Sequence, residues 1–156
     1  MLAVIAACGG ADPGDGYVAR DPCTPLAISI QRADPATSTP QREGTTAALA
    51  LWRGRGVTAF DPAPDPAPDT IEIEFADAAA TFHGIYDPAH AQVLVNRDLT
   101  DPQAIAIVVA HELGHVFGLG HIAPEDRRSL MNPGNLVTPP TEDDQRALEA
   151  RWGSCR

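Results

Sequence analysis

The alternation of apolar and polar side chains changes period along this chain, and each change marks an element. Leu26, Ile28 and Ile30 alternate within residues 25–32, the period of a half-buried strand. Thr39-Pro40 pairs a cap with a proline at the first helical position, so a helix is predicted from there to about Arg53, with Leu49 and Trp52 facing inward and Gly54 and Gly56 ending it. Residues 61–69 (DPAPDPAPD) read as a solvated loop rather than a domain linker, because the segments on either side share one core. Residues 70–76 alternate cleanly, with Ile71, Ile73 and Phe75 on one face, and 81–86 and 91–96 read as two more strands joined through Asp87-Pro88. Asp101-Pro102 repeats the cap-plus-proline start. The run 104–110 that follows is apolar all round, which predicts a helix buried at the centre of the domain. Gly118 and Gly120 stop it, and a loop of about twenty residues leads to Thr141. Thr141 with Asp144 resembles a capping box in which Asp replaces Glu, opening a last helix that ends near Trp152-Gly153. No internal repeat is present.

At 156 residues the chain is the size of one domain. It is 44% hydrophobic but only 5% aromatic, so the core must be built mostly from Ala, Val, Ile and Leu. A formal charge of -10 leaves no basic patch to neutralise phosphates and excludes nucleic acid as a partner. The N-terminus adds a compartment. Residues 1–8 end in Ala6-Ala7-Cys8 and resemble a bacterial lipoprotein signal, which would make Cys8 a lipidation site and anchor the chain in the cell envelope. The positive leader is missing and the apolar run is short, so an ordinary N-terminus or a start assigned too late stays open. Residues 9–23 read as a tether and 24–156 as the domain; no other stretch is long enough to span a bilayer. With Cys8 lipidated, Cys23 and Cys155 remain, and an even pair in an exported chain suggests a disulfide.

The candidate chemistry lies where the buried helix ends. His111-Glu112-Leu113-Gly114-His115-Val116-Phe117-Gly118-Leu119-Gly120-His121 fits H-E-x-x-H-x-x-G-x-x-H at every fixed position. Residues four apart on a helix are stacked one turn apart, with Cβ atoms about 5–6 Å from each other, so His111 and His115 can reach one metal. His121 would point elsewhere if the helix continued. Gly118 permits a sharp bend through positive φ, and the chain can bring His121 back to the same ion. Three neutral nitrogens leave a fourth position for water, which is the pattern of a catalytic zinc. Glu112 is placed to take a proton from that water as general base. HExxH alone arises by chance in ~1% of chains this size, and the added Gly and His lower that to about one in 10⁵, too rare to treat as three incidental histidines.

Ser129-Leu130-Met131-Asn132-Pro133, ten residues past His121, is similar to a Met-turn, with Met131 as an apolar floor under the histidines. Together the zinc motif, this turn and the closing segment from Thr141 to Gly153 resemble the matrixin-like metzincins, strongly over 101–153 and only in architecture before that. The resemblance implies an α+β zincin fold of the α/β-sandwich type: a twisted mixed sheet with one antiparallel edge strand, and three helices. It implies a zinc endopeptidase, acting as a monomer on extracellular or envelope proteins, whose substrate lies along the edge strand. That strand is expected at 91–96, making Ala91, Val93 and Val95 substrate contacts. The specificity pocket is expected between Leu113 or Val116 and the loop 135–138, with Leu136 and Val137 favouring an apolar side chain just after the cut. The family's pattern for a second zinc and for Ca²⁺ is not legible; His83, His90, Asp77 and Asp87 are the candidates. The Met-turn lacks the tyrosine of astacin-like members. In the resembled fold the domain start packs near the last helix, which favours a Cys23–Cys155 bridge. A cysteine switch at Cys23 and free thiols are the alternatives, although no inhibitory prodomain is evident in the few residues between Cys8 and Cys23. A narrow-specificity processing peptidase and a catalytically silent zinc-stabilised binding module are the competing functions.

Overall fold

The computed structural model describes residues 18–30, 39–61, 69–123, 125 and 128–155. Cys8 and the signal-like segment 1–8 lie outside them. The elements follow in the order β1 (Ala27–Ile30), α1 (Thr39–Arg53), β2 (Thr70–Ala76), β3 (Gly84–Asp87), β4 (Gln92–Asn96), α2 (Pro102–Val116) and α3 (Glu142–Trp152). This is an α+β fold, with three helices and a four-stranded mixed sheet of order β1-β2-β4-β3 among the described residues. β1 runs parallel to β2 and β2 to β4, while β3 runs antiparallel to β4.

Register aligns the apolar positions on one face. Ile28 pairs with Ile71, Ile73 with Val93, Phe75 with Val95 and Tyr86 with Val93. Ile71, Ile73, Val93 and Val95 are fully buried on that face. α2 packs against the β3–β4 half of the sheet and α1 packs against α2, so α2 is enclosed from both sides. Residues 105–116 are therefore all buried, which is why their sequence shows no helical period. The Asp101 carboxylate opens α2 by accepting from the amides of Gln103 (3.1 Å) and Ala104 (3.4 Å). Two of the few aromatics meet at the α1–α2 seam. Buried Trp52 donates its indole N–H to the Ala110 carbonyl at 2.9 Å and meets Phe117 edge-on, centroids 6.0 Å apart.

Two expectations are corrected here. The strand at 91–96 is not an edge. β4 is bonded to β2 on one side and to β3 on the other, and Val93 and Val95 point into the core. The short connection after Asp87, with Ala91 at φ 51°, folds β3 back outside β4, so the antiparallel edge is β3. Residues 19–23, read as the end of a tether, are part of the domain. The Arg20 amide bonds the Val116 carbonyl at 2.8 Å, and the amides of Thr58 (3.1 Å) and Ala59 (2.9 Å) bond the Pro22 carbonyl. Cys23 and Cys155 are joined in a disulfide, Cα atoms 5.1 Å apart, which closes the pairing question against a switch or free thiols. No helix among the described residues is long and apolar enough to cross a membrane.

Candidate metal centre

α2 carries His111 and His115 on adjacent turns, and its ending carries the third histidine back to them. The helix closes with a Schellman pattern. Gly118 N–H bonds the His115 carbonyl at 2.8 Å and Leu119 N–H bonds the Gly114 carbonyl at 2.9 Å, with Gly118 at φ 87°. Only a residue without Cβ adopts that conformation cheaply, so the glycine of the motif is a requirement of the reversal. His121 then returns with its Nε2 3.1 Å from Nε2 of His111 and 3.2 Å from Nε2 of His115.

These contacts cannot both be hydrogen bonds. His111 Nδ1 lies 2.7 Å from the Leu130 carbonyl and His115 Nδ1 lies 2.8 Å from the Leu119 carbonyl. A carbonyl only accepts, so each Nδ1 carries a proton and each Nε2 of the neutral ring offers a lone pair. Burial holds the His111 pKa down to about 4 and the His115 pKa down to about 3, so both rings are neutral near pH 7. His121 Nε2 has at most one proton to give to the two of them. A cation at the focus satisfies all three lone pairs at once. The separations also suit it: tetrahedral ligation at 2.0–2.1 Å spaces nitrogens about 3.3 Å apart. Among the described residues, His111, His115 and His121 are the one group of His, Cys, Asp or Glu that could hold a metal ion. The other candidates do not converge. His90 pairs with Asp87 at 2.7 Å, and Asp77 pairs with Arg97 at 3.1 Å, so His83 is left without the partners a second site needs.

Glu112 is fully buried beside this focus. Neither carboxyl oxygen completes a well-formed hydrogen bond. Burial raises its pKa to about 8, offset only slightly by the Tyr86 backbone. A carboxyl buried without a partner is costly, and such groups mark places where a ligand or ordered water completes the bonding. The edge strand passes directly over it: a Cβ on Gly84 would lie 3.3 Å from Glu112 Cγ.

Met131 is buried beneath α2, and here the approach is closer than any side chain would allow. A Cβ on Gly114 would come within 2.5 Å of Met131 Sδ. Gly114→Ala should therefore cost about 1–3 kcal/mol through overpacking, read from urea unfolding of the metal-free protein. Undiminished stability would mean that Met131 moves aside freely and the close approach is not required.

Sequence reasoning missed what holds the turn. Asp144, seen as the partner of the Thr141 cap, is itself buried and gathers four donors: Ser129 Oγ in a short contact, Leu130 N at 3.1 Å, and Thr141 N and Oγ1 both at 2.8 Å. Leu130 in turn offers its carbonyl to His111. A line of hydrogen bonds thus runs from the first turn of α3 to an imidazole of the candidate metal centre. Its links are fourteen and nineteen residues apart, and no local pattern announces them.

Of the expected substrate contacts, Ala91 sits in the β3–β4 connection, Val93 and Val95 are in the core, and Leu113 and Val116 are fully buried. Leu136 and Val137 do line one. A cavity of about 680 Å³ lies between α1, α2 and the loop after the Met-turn, walled by Ala47, Leu51, Ala106, Ile107, Leu136 and Val137. Ile107 is one helical turn before His111, so the α2 side of this cavity lies on the N-terminal side of the first histidine, whereas Leu113 and Val116 face the core. The chain matches no known protein-family model, and no curated protein is similar to it.

Proposed function

We propose that the chain is a zinc-dependent endopeptidase. The observation that carries this is the convergence of three imidazole Nε2 atoms, one residue along α2 from a buried carboxyl whose oxygens complete no well-formed hydrogen bond. His111, His115 and His121 would hold the zinc, whose imidazole-only donor set suits that ion. When bound, zinc supplies Lewis acidity that activates water and polarises a carbonyl. Glu112 takes the proton of the attacking water and delivers it to the departing amine. The Leu130 and Leu119 carbonyls hold the two helical imidazoles in the tautomer that ligates, and Met131 keeps the underside of the site dry and packed.

The substrate backbone would add to β3. Among the described residues its outer edge pairs with no strand, it is antiparallel to β4, and it crosses Glu112. The side chain after the cut would enter the apolar cavity beside Ile107, which supports the preference for an apolar residue there. The disulfide suits an oxidising compartment and supports export.

Purified chain incubated with casein and with a mixed-sequence peptide library should cleave both. Chelator should abolish the activity and added Zn²⁺ restore it. Cleavage of library members but not casein would instead favour a narrow processing peptidase. Zinc-loaded protein that cuts neither would leave a zinc-stabilised binding module, a role for which the buried Glu112 carboxyl has no use.

A further inference from the structure

The loop that walls the cavity is short of regular structure, yet one side chain organises it. Asn135 uses the full bonding capacity of its amide. Its Nδ2 donates to the Leu130 carbonyl at 3.1 Å and to the Thr138 carbonyl at 2.7 Å. Its Oδ1 accepts from the amides of Val137 at 3.1 Å and Thr138 at 2.8 Å. The orientation of the amide is unambiguous, because a flip would set Nδ2 against two N–H groups and Oδ1 against two carbonyls.

Two features make this more than a turn. The residues it gathers, Val137 and Thr138, follow Leu136, and both Leu136 and Val137 line the cavity. Leu136 packs against the core, but Val137 is 83% exposed, so packing does not hold that part of the wall in place. The other end of the amide rests on the Leu130 carbonyl, the same oxygen that takes the Nδ1 proton of His111. One carbonyl is thus the common anchor of a metal-ligating imidazole and of the cavity wall.

We propose that Asn135 is a specificity-determining positioning residue, pinning the cavity wall at a set distance from His111 and thereby selecting the apolar side chain that the cavity admits. The identity of the occupant rests on the peptidase reading; the pin itself does not. Without the pin, the exposed Val137 side of the wall could move to suit side chains of many sizes. Held by three hydrogen bonds to Asn135, whose fourth reaches the carbonyl that anchors His111, it keeps one width.

Asn135→Ala removes the pin. Asn135→Asp separates its halves and guards against a variant that fails to fold: Oδ1 still accepts from Val137 and Thr138, but both donations are lost and a carboxylate oxygen faces two carbonyls. Hydrogen exchange on the metal-free full chain reads the pin directly. The Val137 and Thr138 amides should lose protection about tenfold in Asn135→Ala and keep it in Asn135→Asp. On peptides that differ only in the residue after the cut, the kcat/KM ratio of the best apolar residue over Ala should fall about tenfold in both variants. The loss should fall on KM more than on kcat, and zinc affinity should stay within about threefold, since the His111–Leu130 contact remains. Unchanged selectivity in Asn135→Asp, or unchanged amide protection in Asn135→Ala, would overturn the proposal. So would a loss of zinc affinity that accounts for the whole loss of activity, because Asn135 would then serve only the metal site. Wild-type chain that cuts no peptide would sink the peptidase reading, while amide exchange would still decide the pin.

Discussion

Glu112→Ala is expected to lower peptidase kcat/KM by about 10³-fold or more while the protein still binds one zinc per chain. The carboxyl is not part of the converging donor set, which consists of three imidazole nitrogens. On the peptidase reading, its burial without well-formed partners is that of a group kept for a reacting molecule rather than for the fold. Metal content by elemental analysis, with kcat/KM on a cleaved peptide, checks both halves. Activity near that of wild type with zinc in place would remove Glu112 from its role as base. His121→Ala gives the contrast. That residue comes from a loop and is only partly buried, so its loss should leave the fold standing and weaken zinc binding itself. Unchanged zinc retention would count against it as third ligand.

Breaking the Cys23–Cys155 bond should have the second largest effect, on stability and on metal affinity together. The bridge spans 132 residues, and in the chain-entropy model a loop of that length is worth about 4–5 kcal/mol. Its position adds a local consequence. The Gly118 reversal that delivers His121 is clamped from two sides, since a Cβ there would meet Arg151 Nε at 2.8 Å and Ala19 Cβ at 2.9 Å. The Arg20 amide bonds the Val116 carbonyl at 2.8 Å and Trp152 Nε1 bonds the Phe117 carbonyl at 2.9 Å. One side of this clamp is the segment before Cys23, the other the helix before Cys155, and the disulfide ties them together. The Cys23→Ser/Cys155→Ser chain should thus unfold at markedly lower urea and bind zinc about tenfold more weakly at a concentration where it remains folded. A drop in stability with zinc affinity unchanged would show that the reversal holds without the clamp.

What could be read from the chain alone was what local chemistry controls. The Thr39-Pro40 and Asp101-Pro102 starts, the strict alternation at 70–76 and the Thr141 cap each placed an element within a few residues, because caps and side-chain periods act between near neighbours. The histidine triad was legible for the same reason: two of its members share a helix face, and the third is one glycine turn away. Strand order was not legible. Residues 84–87 and 92–96 both alternate, and which of them lies at the edge depends on pairing with β2, a contact made across the fold rather than along the chain. The wall of the cavity was half legible, in Leu136 and Val137, but the facing residues had to be supplied by the way α1 crosses α2. Asp144 and Asn135 show the limit most clearly. Each is an ordinary polar residue near a turn or a cap, and each became a junction only when the tertiary structure brought buried carbonyls and amides within its reach, where a polar group without a partner is too costly to leave.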